Sequence, residues 1–229
     1  MSTDVLSRGR LATKALVRLL ISFIILTALL FLPAGSARYW EAWAYLCVLF
    51  LSIMLALLYL LVHHPRLLER RMRMREKTAE QKLIVATGMF FYILTFLCSG
   101  LDFRFGWSHV PAVAVVAADL LVLAGYGLFV LVLRENPYAS RIIEVEQDQR
   151  VVTTGPYAAV RHPMYLAVLV IFLSTPVALG SWWGVITALP LVAVLVARIR
   201  NEERQLAEDL EGYREYMQTT RYRLIPRVW

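Results

Sequence analysis

The chain of 229 residues is short of charge: Asp, Glu, Lys and Arg make up 18% of it, against 59% hydrophobic residues. With a mean hydropathy of +0.59, this excludes an ordinary soluble domain. Cysteine is almost missing as well. Cys47 and Cys98 both fall within apolar stretches, so neither a disulfide framework nor a metal-ligand spacing exists. The only Gly-x-Gly, Gly125-Tyr126-Gly127, lies inside an apolar run without a preceding strand, which excludes a dinucleotide fingerprint and reads as helix packing. No internal repeat or low-complexity tract is found.

What remains is long apolar sequence. Six stretches stand out, at about 15–32, 42–62, 83–98, 110–133, 164–179 and 182–197. Most approach the ~20 residues that cross a bilayer core as a helix, so the expected fold is all-α, a polytopic transmembrane helical bundle. The last two stretches are nearer 16 residues, about 24 Å. They must extend into the interface or form a hairpin that dips. Pro176 and Pro190 lie within them and should kink them.

The charge that is present is lopsided. With six crossings, 22 of the 24 Lys and Arg share the side of both termini and of the 63–82 and 134–162 loops; only Arg38 and Arg104 lie opposite. The positive-inside rule makes the crowded side cytoplasmic, and Trp40, Trp43, Trp107, Trp182 and Trp183 mark the other side as an interfacial belt. The net charge of +7 therefore reads as topology and contact with anionic membrane lipids, with no nucleic-acid partner. Arg8 to Arg18 and the segment 33–37 imitate a secretion signal, but the apolar run between them exceeds the usual core, and an uncleaved first helix is expected.

Two polar clusters sit at the feet of the final hairpin. One is Gly155-Pro156-Tyr157 through Arg161-His162-Pro163-Met164-Tyr165, and the other Arg198-Ile199-Arg200-Asn201-Glu202-Glu203. An antiparallel pair folded at Gly180-Ser181 sets His162 opposite Ile199 and Tyr165 opposite Val196, by equal rise. Arg198 and Glu202 share a helix face, which by itself reads as an i,i+4 ion pair or a snorkelling arginine. His162 alone reads as a packed histidine. Convergence changes the weights, because Tyr157, Arg161, His162, Tyr165, Arg198, Glu202 and Glu203 should meet at one membrane rim. A carboxylate there can bind an ammonium or ribose hydroxyls, and an arginine fork can hold a carboxylate. Downstream, 198–218 reads as one helix with Leu206, Leu210, Tyr213 and Met217 on a stripe, and 141–145 as a short extended piece.

Residues from about 134 to 229 resemble the isoprenylcysteine carboxyl methyltransferase family of integral-membrane enzymes, with phospholipid N-methyltransferases as relatives. The resemblance rests on Val152-Thr153-Thr154-Gly155-Pro156-Tyr157, on Arg161-His162-Pro163-Met164-Tyr165, and on Glu202-Glu203-x-x-Leu206 followed by Tyr213 and Tyr216. Leu210-Glu211-Gly212-Tyr213 is one residue shorter than the family's eukaryotic pattern. The resemblance implies S-adenosyl-L-methionine as cofactor and S-adenosyl-L-homocysteine as product, held by Tyr157, His162, Pro163, Met164, Tyr165 and Glu202. A strand of Gln149, Arg150, Val151 and Val152 would close one side. Arg198 would orient the acceptor with Glu203 beside it, and Arg198, Glu202 and Arg161 would carry the catalytic roles.

The implied organisation is a scaffold over 1–133 and a methyltransferase half over 134–229. The implied activity is O-methylation of a carboxylate on a lipophilic or prenylated acceptor at the cytoplasmic face. Three alternatives stand beside it: a phospholipid or amine N-methyltransferase, an NADPH-dependent sterol-type reductase, and a non-enzymatic transporter or partner protein. Asp119, inside the fourth stretch, supports the last of these. Oligomeric state is not legible.

Overall fold

The computed structural model describes residues 8–72, 78–139 and 149–229. Among them the chain is helical, without strands: α1 (Arg8–Ala34), α2 (Trp40–His63), α3 (Pro65–Arg71), α4 (Ala79–Phe105), α5 (Ala112–Glu135), α6 (Pro163–Ala178), α7 (Trp182–Ala188), α8 (Pro190–Asp209) and α9 (Tyr213–Thr219), with a 3₁₀ turn at Gly155–Ala158. Helix is the conformation that satisfies every backbone polar group within one segment, as an apolar surrounding requires. The outward surface is apolar to match: Leu16, Leu20 and Ile24 on α1 and Val113 and Leu120 on α5 are all exposed.

α1, α2, α4, α5 and the run Trp182–Asp209 are long and apolar enough to cross a membrane, and α6 is a shorter apolar helix. The hairpin is therefore unequal. Its second leg is not a 16-residue stretch: Leu189 keeps helical dihedrals (φ −53°, ψ −40°), so the path runs through Pro190 and onward to Asp209. Pro190 sits at the first position of α8, where its missing N–H costs least.

α6 packs most intimately on α5. A Cβ added at Gly125 would lie 2.7 Å from Ile171 Cγ1 and 3.2 Å from the Ala167 carbonyl, so this glycine permits the approach. At the Trp-marked end, three polar locks hold the turn between α6 and α7. The Tyr39 hydroxyl donates to the Leu179 carbonyl at 2.5 Å, and Tyr45 pairs with Thr175 at 3.1 Å. The buried Asp102 carboxylate accepts from the Ser108 amide at 2.8 Å and from the Ser108 and Ser181 hydroxyls, each at 2.5 Å. Fixing that turn fixes how α6 and α8 meet at the opposite, basic end.

Two expectations need correction. The helix over 198–218 is broken: α8 ends at Asp209, Leu210 is extended, and Gly212 takes φ +81°, a left-handed conformation open to glycine. The stripe survives the break, because Leu210, Tyr213 and Tyr216 still pack together with Leu206, Met217 and Val151. Residues 149–152 are irregular and not a strand. The extended piece at 141–145 lies outside the described residues.

Candidate functional site

The basic end is assembled around Glu203. Pro163 opens α6, so the chain before it is not helical, and the Arg161 and His162 amides donate instead to the Tyr222 and Arg223 carbonyls, both at 2.9 Å. Arg161 then turns inward. Its Nε donates to Glu203 Oε1 at 2.7 Å and its Nη1 to the Thr220 and Arg221 carbonyls, each at 2.8 Å. His162 Nε2 lies 3.2 Å from Glu203 Oε1, and Arg223 Nε donates to Oε2 at 2.7 Å. Glu203 is 5% exposed, and a charge so deeply placed is tolerable because three basic groups surround it.

A second tier lies beside it. The Tyr165 hydroxyl donates to Glu202 Oε2 at 2.5 Å and accepts from Arg198 Nε at 3.0 Å. Arg198 Nη1 donates to Gln81 Oε1 at 3.3 Å. Equal rise had set His162 opposite Ile199 and Tyr165 opposite Val196; the contacts instead fall about a turn further along α8. Helical side chains lean toward their own N-terminus, which moves each contact by about one position on each leg. The unequal, kinked second leg supplies the remainder.

Both tiers open onto one cavity of about 950 Å³. Gln149, Arg150, Val151, Val152, Tyr157, Arg161, His162, Met164, Tyr165, Arg198 and Glu202 line it; Pro163 and Glu203 do not. Pro163 is buried at the start of α6, and Glu203 is turned to its basic partners. The far wall is apolar, with Ile53, Leu57, Ile84, Met89, Phe172 and Val194. Among the described residues, the charged lining comprises Arg18, Arg71, Arg150, Arg161, Arg198 and the carboxylate of Glu202.

Tyr157 is held by Asn136, whose Nδ2 donates to its hydroxyl at 2.8 Å, and by Tyr216, whose hydroxyl donates to its carbonyl at 2.8 Å. Burial pushes the Tyr157 phenol well above its ordinary range, and that of Tyr216 up to about 12. Burial, with Glu203 and Glu202 nearby, raises Tyr213 also. All three are neutral at physiological pH. The Tyr213 hydroxyl is buried, its residue lines the cavity, and it has no hydrogen-bond partner among the described residues. An orphaned polar atom in a polar, roomy wall fits a hydroxyl- and amine-rich ligand such as an adenosylated amino acid. Among the described residues no cluster of His, Cys, Asp and Glu is placed to hold a metal ion.

Sequence reasoning missed Gln81, Arg71, Asn136 and Tyr138. All four lie outside the motifs; the one available signal was an amide, Gln81, at the mouth of an apolar stretch. Tyr213 and Tyr216 belonged to a motif but had been given no role.

Residues 113–211 match the family model described as phospholipid methyltransferase. No curated protein matches the chain. With the apolar helices, the match supports a multi-pass integral-membrane methyltransferase, and methyl transfer of this kind implies S-adenosylmethionine as donor.

Proposed function

We propose that this protein methylates a lipophilic acceptor at its carboxylate, an isoprenylcysteine-like group being the simplest. One observation carries the reading: a single cavity joins a rim of arginine, tyrosine and glutamate to an apolar chamber inside the helices. At about 950 Å³ it is near the top of the roughly 300–1,000 Å³ range of small-ligand pockets, room for a cofactor and a lipid chain together.

When bound, S-adenosylmethionine supplies an electrophilic methyl on a sulfonium. Glu202 would accept from its hydroxyls or ammonium, while Tyr157, His162, Met164, Tyr213 and residues 149–152 would enclose it. Arg198 would present its fork to the acceptor carboxylate, which at an ordinary pKa near ~4 is already ionised. Little proton transfer is then needed. The protein's task is to hold two reactants in line and exclude water, which contributes up to roughly 7–11 kcal/mol. Charge is neutralised in the reaction, so a low-dielectric rim favours it. Arg161 and Glu203 keep the rim in shape.

The catalytic half is 134–229, with 1–133 as scaffold, and the site faces the cytoplasm with both termini; the basic asymmetry supports that orientation. The family match favours a second reading, an amine of a phospholipid as acceptor. That chemistry needs a base. Glu203 has one oxygen taken by Arg161 and the other by Arg223, which leaves His162.

Purified protein incubated with methyl-labelled S-adenosylmethionine and membrane lipid should label an apolar product. Alkali should release the label as volatile methanol, as a methyl ester requires. Label that survives alkali identifies the amine reading, and absence of any labelled lipid contradicts both.

A further inference from the structure

The bundle gives its interior phenols partners. Tyr39 donates to the Leu179 carbonyl and Tyr45 pairs with Thr175. At the rim Tyr157 is bonded to Asn136, Tyr165 to Glu202 and Tyr216 to the Tyr157 carbonyl. A medium without water demands this, because a buried hydroxyl left bare is costly. Two phenols inside the helices break the pattern. Neither the Tyr92 nor the Tyr126 hydroxyl has a hydrogen-bond partner among the described residues. Both residues line the cavity, as does the unpartnered Tyr213 at the rim.

Tyr92 and Tyr126 stand at one depth. Gln81 of α4 meets Arg198 at the rim, and Tyr92 follows it by eleven residues of helix, about 16 Å. Asn136 at the end of α5 meets Tyr157 at the rim, and Tyr126 precedes it by ten residues, about 15 Å. Each is the lining residue of its helix furthest from the rim. Between the two levels α4 lines the cavity with Ile84, Val85, Gly88 and Met89, none of which offers a side-chain hydrogen bond. The chamber is therefore apolar along its length and polar at its deep end. The rings are held there by aromatic contacts, Tyr92 with Phe96 at 4.7 Å and Phe172 at 5.4 Å, and Tyr126 with Phe129 at 6.2 Å. The two phenols are close enough to interact electrostatically.

We propose that Tyr92 and Tyr126 form a polar subsite at the deep end of the chamber. The acceptor's chain then carries a hydrogen-bond-accepting oxygen, most simply a carbonyl, about 15 Å from the group held at the rim. The inference rests on the lipid-acceptor reading above and deepens it by naming the chemistry of the chain. A plain hydrocarbon chain filling the chamber expels water and strands two donors. A carbonyl oxygen has two lone pairs, so it can accept from both phenols.

The test uses full-length protein in detergent. The probes are N-acetyl-S-dodecylcysteine and a series of analogues with a ketone placed progressively further along the chain, and binding is measured by calorimetry. One ketone position should bind about tenfold tighter than the plain chain, as one or two added hydrogen bonds allow. Tyr92→Phe and Tyr126→Phe, checked for folding by their binding of S-adenosylhomocysteine, should each shrink that gain, and the double variant should abolish it. The plain chain should bind the variants tighter than wild type, because fewer donors are left bare. A role in packing alone predicts another pattern, equal losses for plain and ketone chains. Such parallel losses, a gain that survives in the double variant, or no gain at any position in wild type overturns the proposal. Should the double variant fail to assemble, the two single variants carry the comparison. Transfer of labelled methyl to the same probes reports on the carboxylate reading separately. Chains that bind with the ketone gain yet take up no methyl would overturn that reading and leave the phenol subsite standing.

Discussion

The Tyr165 hydroxyl and the Glu202 carboxylate, 37 residues apart in sequence, are joined by a 2.5 Å hydrogen bond. The same hydroxyl accepts from Arg198, so one phenol connects the residue assigned to the acceptor with the residue assigned to the cofactor. The two substrate sites are thereby mechanically one.

Tyr165→Phe removes that connection and little else. Hydrogen bonds to charged groups contribute roughly 1.5–3 kcal/mol, so methylation should fall about 10- to 100-fold while the protein still purifies as a folded species. Steady-state kinetics with either acceptor class checks this.

Glu203 should behave differently. Its loss strands the buried Arg161, and breaking a buried pair costs about 3–5 kcal/mol. Glu203→Ala should therefore lower the thermal midpoint strongly. Arg223→Ala, whose side chain is 31% exposed, should lower it far less. Thermal unfolding in one detergent compares the two directly. Equal midpoints would return Glu203 to the role of a substrate ligand.

Much of this arrangement is legible in the sequence. Apolar length marks the helices; the two clusters hold seven of the residues that line the cavity, and the family resemblance adds four more, Gln149, Arg150, Val151 and Val152. Register was not legible. It depends on Leu189 staying helical before Pro190 and on side-chain lean, neither of which composition records. The partners of Gln81 and Asn136 are not legible for another reason: an amide has no period, and its partner can lie 120 residues away, as Asn201 does from Gln81.

The apolar wall should set acceptor length. Gly88 lines the cavity, and a Cβ there would lie 3.3 Å from Val194 Cγ1, already a tight approach. Gly88→Leu should narrow the chamber. Turnover of farnesyl-length acceptors should drop more than that of geranyl-length ones. A uniform loss across chain lengths would place the lipid elsewhere.

Orientation follows from the basic asymmetry. Single cysteines beside Arg38 or Gly106, in a background lacking Cys47 and Cys98, should react with an impermeant maleimide added outside intact cells. Cysteines beside Arg66 or Glu208 should react only after lysis. Labelling beside Arg66 from outside would invert the arrangement.

The central claim is that the cavity rim holds S-adenosylmethionine, and calorimetric titration of the purified protein with S-adenosylhomocysteine tests it most directly. The account predicts saturable one-to-one binding that is lost or greatly weakened in Glu202→Ala, with no response to NADPH. Saturable binding of NADPH without binding of S-adenosylhomocysteine would contradict it and would make the chain a hydride-transfer enzyme instead.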